Sequence, residues 1–418
     1  MVITSVGDRA ESSDRHIRRN TAGRPMMPGG YGRSAYHVGA APTYAVRGEG
    51  WRLWDDTGRE LIDANGNFTT LIHGNAHPEI VEAAHRAMQR GSAWGIPNLA
   101  EWDLAEAVLQ RLPGLGQVRF TNSGTEAVMS AVRLARAVTG RDGVVMTKDG
   151  YHGSSDVALL ASGPSKGVPK AMGDDVTLVP LNDLTALREA FTQRPASHAA
   201  IILDLLPNKA GLVEVAPQFV AEARTLASEH GTLLVIDEVI SFRLGEHGLS
   251  GAYGVVPDLL TAGKLIGGGL PIGALAGRDE YMEPLDPWVP GGIVHSGTFS
   301  GNPVSSAAGS AALRLLTASQ IDRLNALGDA ARTQANEQLQ PCGWEVRGRG
   351  SLLRPFPAGA RKVAEATQHE LWWAAYERGV VLSSANLAAL STPMDTAVVT
   401  DITERLVDAV KAVAEVTG

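Results

Sequence analysis

Cys342 is the only cysteine in 418 residues, so the chain can form neither an intramolecular disulfide nor a cysteine-based zinc site. A reducing cytoplasm suits such a chain, and a cytoplasmic location is expected. No apolar run approaches the length of a membrane span. The opening stretch MVITSVGDRAESSDRHIRRNTAGR has no apolar segment of signal-peptide type, and its first twenty or so residues read as an arm. Positive charge is not in surplus: the formal net charge is −8 and no basic patch stands out, which argues against a nucleic-acid partner. Internal repeats, low-complexity tracts and metal-ligand constellations are also missing.

The chain is 44% hydrophobic and long enough to bury a large core in more than one domain. Residues 44–64, YAVRGEGWRLWDDTGRELIDA, read as two short strands joined at the polar turn Asp56-Thr57-Gly58. HPEIVEAAHRAMQRG (77–91) has helical spacing and ends on glycine. From about residue 100, helical patterns alternate with the unbroken apolar runs GVVMT (143–147), AAIILDLL (199–206) and TLLVIDEV (232–239). Such runs are what a parallel sheet covered on both faces requires, with PQFVAEARTLASEHG (217–231) as a crossover helix. This predicts a large α/β domain over roughly 67–315. Residues 1–66 supply an arm and part of a smaller domain, which 316–418 completes.

FTNSGTEAVMSAVRLARAVTGRD (120–142) places Ser123 and Glu126 at capping-box spacing ahead of an apolar helix face. Ser123, Gly124 and Thr125 therefore sit at a helix N-terminus, where free N–H groups, two hydroxyls and the helix dipole converge. That reads either as a phosphate cup or as a well-capped helix. In VIDEVISFR (235–243), Asp237 and Glu238 follow a buried strand, at the strand end where open α/β sheets bind ligands, or simply cap the next turn. LTAGKLIGGGLPIGALAGR (260–278) holds one lysine, Lys264, among apolar residues and glycines. It is either a snorkelling side chain or an amine with a lowered pKa. A phosphate cup, a strand-end carboxylate and such a lysine together suggest pyridoxal 5′-phosphate: phosphate in the cup, Asp237 on the pyridine nitrogen, and Lys264 as the Schiff-base amine.

With NSGTEA, GYHG (150–153), DEV, GKLIGGGLPIGA and HSGTFSGNP (295–303) in order, the sequence resembles the class III aminotransferases over nearly its whole length. It is most similar to the branch of glutamate-1-semialdehyde aminomutase and the β-amino-acid transaminases. The resemblance implies an aspartate-aminotransferase-like fold, with a large domain built on a mostly parallel sheet and a smaller α+β domain from both chain ends. It assigns Ser123, Gly124 and Thr125 to the phosphate, Tyr151 to stacking on the ring, and Val239 to the opposite ring face. Asp237 pairs with the pyridine nitrogen, and Lys264 forms the Schiff base and carries the proton. Thr298 reaches the phosphate of a neighbouring subunit, which implies a homodimer with a shared active site. Arg33 matches a carboxylate-binding arginine, whose planar fork suits bidentate recognition, and Trp94 lies in the segment lining the substrate pocket.

The implied activity is ping-pong transfer of an amino group between a small amino acid, β-amino acids included, and a keto acid. An aminomutase or an epimerase using the same chemistry is the alternative. His152 reads as a support for the ring clamp, and His73 and His77 as structural. The pattern also departs from the family. Asp204 and Leu205 stand where the family has a Glu-Pro pair, and Lys209 replaces an asparagine for which Asn208 is a substitute. The stretch VLSSANLAALSTPMD (381–395) lacks the acidic residue that the aminomutase branch carries here and has no arginine to hold a second carboxylate, leaving Arg354 and Arg378 as candidates.

Overall fold

The computed structural model describes residues 27–40, 43–163 and 166–417; the expected N-terminal arm lies outside them. Three strands, rather than two, form between residues 44 and 64: β1 (Ala45–Glu49), β2 (Arg52–Asp55) and β3 (Glu60–Asp63). β2 and β3 join at the expected turn. Gly50, at φ +55°, turns the chain once more and folds β1 back against β2. A left-handed residue is cheap at glycine, and here it breaks what the pattern presents as one strand.

Seven strands build the main sheet: β4 (Gln117–Thr121), β5 (Gly143–Thr147), β6 (Val176–Val179), β7 (His198–Leu203), β8 (Leu233–Asp237), β9 (Leu259–Gly263) and β10 (Gly273–Gly277). Their order is β4-β10-β9-β8-β7-β5-β6. β5 to β9 run parallel, and β10 is antiparallel to both its neighbours. Every residue of β5, β7 and β8 is buried, and alternation along the strands divides them between two faces. Ala200 and Ile202 pack with Val128, Ala131 and Leu134 of the helix Gly124–Thr139. Ile201 and Leu203 pack on the other face with Phe219, Val220 and Ala223 of the helix Pro217–His230. Each of the larger side chains among them, valine, leucine, isoleucine or phenylalanine, contributes about 1.5–3 kcal/mol when fully buried.

Beyond residue 315 come the helix Ala318–Leu339, β11 (Trp344–Arg347), β12 (Leu352–Pro357), the helix Glu365–Glu377, β13 (Val380–Val381), β14 (Ala388–Ala389) and the helix Thr396–Thr417. β13 adds to the N-terminal sheet in parallel, with Val380 opposite Ile62 and Val381 opposite Asp63, giving the order β1-β2-β3-β13. β11, β12 and β14 form a third sheet. Among the described residues no helix is long and apolar enough to cross a membrane.

Candidate active site

Since β5 to β9 are parallel and β10 reverses, the C-terminal ends of β4, β5, β7, β8 and β9 all open on one edge of the sheet. Polar residues gather at that edge: Ser123 after β4, Tyr151 in the loop after β5, Asp204 after β7, Asp237 at the end of β8, and Lys264 after β9.

Ser123 caps the helix Gly124–Thr139, its Oγ accepting from Glu126 N at 3.2 Å. The Glu126 carboxylate returns to Asn122, accepting from its backbone N at 2.8 Å and its Nδ2 at 3.0 Å. The N–H groups of Gly124 and Thr125 lie in the first turn, where no intrahelical carbonyl can accept them. Two approaches close the cup. A Cβ on Gly124 would lie 2.7 Å from Val239 Cγ2, so only glycine lets the helix start press against the loop that follows β8. Gly153, at φ +96°, brings its loop so near that a Cβ would lie 2.6 Å from Thr125 Oγ1, and Ser154 N donates to that oxygen at 3.3 Å.

Asp237 is buried. Its Oδ1 accepts from Val239 N and Thr261 Oγ1, each at 3.1 Å, and its Oδ2 faces His152 Nδ1 at 2.8 Å. Burial alone would lower the His152 pKa; the hydrogen bond and charge of Asp237, with the charge of Asp204, outweigh it and raise the pKa above 6.5. His152 Nε2 is buried without a partner. Tyr151 thus stands between two anchors, His152 on Asp237 and Gly153 on Thr125, and remains half-exposed at the mouth of the site. Lys209 Nζ lies 5.9 Å from the centre of its ring and donates to Ser162 O at 2.9 Å.

Lys264 adopts φ +51°, a left-handed conformation that is uncommon for a side-chain-bearing residue and clusters at functional sites. Burial lowers its pKa from 10.5, and attraction to Asp237 and Asp204 opposes that shift. Asp204 is also buried and accepts from Leu206 N at 2.9 Å. Burial first, then the charge of Asp237, pushes its pKa up to about 7. Glu238 does not face this edge group; it caps a turn, accepting from Leu249 N and Ser250 N at 2.7 Å and Ser241 Oγ at 3.2 Å.

Arg33 lies in the N-terminal segment. Its Nη2 donates to Asn67 Oδ1 at 3.0 Å, and its guanidinium lies 4.4 Å from the Tyr36 ring centre and 5.4 Å from that of Phe68. Trp94 is half-exposed, with its indole Nε1 against Gly91, and Thr298 is exposed. Arg354 is buried, its Nη1 donating to the Asn208 backbone oxygen and to Asn208 Oδ1 at 3.3 Å. Arg378 bonds Ala374 O at 2.9 Å. His73 is buried between Ala312 O at 2.8 Å and Thr392 Oγ1 at 3.1 Å, and its ring meets that of His77 edge-on.

Sequence inspection passes over Arg243, in the quoted VISFR. It is fully buried and bonds Ser351 Oγ at 3.0 Å, Thr69 O at 3.4 Å and Leu390 O, tying three distant segments together. Only its burial, not its spacing, marks it out. Folding also brings His37, Glu365 and His369 within 4.8 Å of one another near the surface. Spacing cannot reveal that group, because His37 comes from the other end of the chain.

The class III aminotransferase family model matches residues 34–412. The chain belongs to that family. Among curated relatives, a glutamate-1-semialdehyde 2,1-aminomutase of Halalkalibacterium halodurans is 40% identical over 319 residues, 73% of this chain and 74% of its own. An omega-transaminase from Sphaerobacter thermophilus is 35% identical with a TM-score of 0.90, covering 98% of both chains. A β-phenylalanine aminotransferase from Variovorax paradoxus is 31% identical with a TM-score of 0.84, covering 97% of both.

Proposed function

We propose that this class III enzyme is a pyridoxal 5′-phosphate-dependent transaminase of small amino acids, β-amino acids included, with a keto acid as the second partner. The carrying observation is Lys264, a buried amine held in a left-handed conformation at the strand-end edge that also bears Asp237 and the Ser123 cup. The residues fit the cofactor. First-turn N–H groups and the hydroxyls of Ser123 and Thr125 suit a phosphate, and Gly124 and Gly153 keep side chains from narrowing the cup. When bound, pyridoxal 5′-phosphate supplies an aldehyde for the amino group and a ring that takes up electrons.

In this reading Asp237, steadied by His152, Thr261 and Val239 N, keeps a proton on the ring nitrogen. Tyr151 covers one face of the ring and Val239 packs under the other. Lys264, its charged form disfavoured by burial, holds and moves the proton at the substrate carbon. Arg33 takes the substrate carboxylate. Arg354 is spent on Asn208, which supports substrates bearing one carboxylate at a time.

A homodimer completes the reading. Ile96, Leu99, Trp102, Val294 and Phe299 are each more than 60% exposed, an unusual load of bare apolar side chains. They lie on segments that adjoin, since Asn98 Nδ2 donates to Gly301 O and Asn302 Nδ2 to Ser92 O. Thr298 sits within that face, in keeping with a role toward the partner's phosphate. Trp94 belongs to the same stretch and is assigned to the substrate pocket of the dimer. The pairing of β3 with β13 supports a smaller domain from residues 1–66 and 316–418 beside a large one over 67–315. The cytoplasm is the proposed location.

Borohydride reduction of the native enzyme is expected to fix the cofactor at Lys264, and Lys264→Ala to retain it non-covalently without turnover. Labelling at Lys209 instead would overturn the assignment. The aminomutase relative favours a second reading, in which nitrogen or proton returns within one molecule. Adding single amino acids separates the two: conversion to the pyridoxamine form marks transfer, and racemisation or isomerisation without it marks the alternative.

A further inference from the structure

Four consecutive residues beneath Arg33 lie in the left-handed region: Gly66 (φ +52°), Asn67 (+49°), Phe68 (+57°) and Thr69 (+75°). Side-chain-bearing residues visit that region singly, not in runs, and a β-branched threonine there is an outlier. The turn persists because the surroundings over-determine it. Asp63 Oδ1 accepts from Gly66 N at 2.8 Å and Asn65 N at 3.1 Å, and Asn65 Oδ1 accepts from Phe68 N at 2.8 Å. From below, buried Arg243 donates to Thr69 O. What this conformation achieves is visible at its tip. Asn67 and Phe68 are adjacent, yet both reach Arg33, one by Oδ1 at 3.0 Å and the other by its ring. Tyr36 lies against the same guanidinium. No carboxylate among the described residues pairs with Arg33.

We infer that the left-handed turn Gly66–Thr69 fixes the orientation of Arg33, with Asn67 as a positioning residue that ties down one N–H so that the rest of the guanidinium meets a carboxylate as a rigid fork. The inference rests on the reading of Arg33 as the carboxylate binder. An arginine with two aromatic neighbours and one neutral acceptor keeps its full charge for an incoming anion. An acidic residue in place of Asn67 would neutralise it, and an untethered arginine would have to give up orientational freedom on binding.

Asn67→Gly tests this, because glycine accepts the left-handed conformation while removing the acceptor. The holoenzyme variant is expected to keep its thermal midpoint, to bind an amine-free carboxylate such as 3-phenylpropionate about tenfold more weakly by calorimetry, and to show a matching rise in KM for a β-amino acid with a much smaller change in kcat. For an amine of equal length without the carboxylate, the rise in KM is expected to be at least fivefold smaller. Asn67→Asp should weaken the carboxylate further, by pairing with Arg33. Carboxylate affinity unchanged in Asn67→Gly, or lost equally for both amine classes, overturns the inference. Arg33→Ala run alongside separates the two claims. If it leaves carboxylate binding unaltered, the reading of Arg33 itself fails; if it weakens binding and Asn67→Gly does not, only the role of Asn67 fails.

Discussion

His152 Nδ1 and Asp237 Oδ2 lie 2.8 Å apart with both side chains closed to solvent. A hydrogen-bonded histidine–carboxylate pair at that depth persists only if its geometry is held and the carboxylate's remaining acceptor valences are met. Thr261 and the Val239 amide meet those of Asp237, so the carboxylate has one fixed direction in which to act.

Asp237→Asn keeps the size and removes the charge. The variant is expected to retain cofactor and lose several kcal/mol of transition-state stabilisation, since a neutral pyridine is a poor electron sink. Steady-state kcat/KM is the measurement. A rate within about tenfold of the native enzyme would mean that Asp237 does not address the ring nitrogen.

Asp204 predicts a pH signature in the cofactor-free protein. Its folded pKa of about 7 stands above the unfolded value of 3.8, so between those values the folded state holds a proton that the unfolded state has released. Stability from this group therefore falls as pH rises from about 4 to about 7 and levels off above. Asp204→Asn retains the acceptor for Leu206 N and removes that slope. Denaturant titrations should find the variant more stable at pH 8, by on the order of 1–4 kcal/mol, and little different near pH 4. Parallel curves at all pH values would show that Asp204 ionises normally.

Gly124→Ala tests the cup without touching a polar atom. The added methyl meets Val239 within 2.7 Å, so the helix start or the strand end must shift. Cofactor affinity, followed by equilibrium dialysis, is expected to weaken at least about tenfold, with an overpacking loss of about 1–3 kcal/mol in stability. Unchanged affinity would place the phosphate elsewhere.

Much of this was legible in the sequence because it is local. Apolar runs mark β5, β7 and β8, and a serine three residues before a glutamate marks the helix start at Gly124. Lys264 stands out because a lone amine among glycines is conspicuous. Residues whose task depends on distant partners were not legible. Nothing in ANGNFTT announces four left-handed residues, since their conformation is imposed by Asp63, Asn65 and Arg243 rather than by their own propensities. Arg243 looked like any arginine after a strand, and Asn208 looked available until Arg354, some 146 residues later, was found bonded to it. The extra strand β1 was hidden by a single glycine.

The pairing of β3 with β13 has a consequence during synthesis. Ile62 waits for Val380, more than 300 residues downstream. At about 5–20 residues per second, that edge stays open for roughly 15–60 s on the ribosome. An unpaired edge is a template for other strands, so the nascent chain carries a sticky seam until Val380 and Val381 have emerged. Slower translation lengthens that exposure, and stronger expression raises the number of open edges that can meet. Misassembly in this protein is therefore expected to begin at its N-terminal hairpins, before the catalytic sheet has any fault at all.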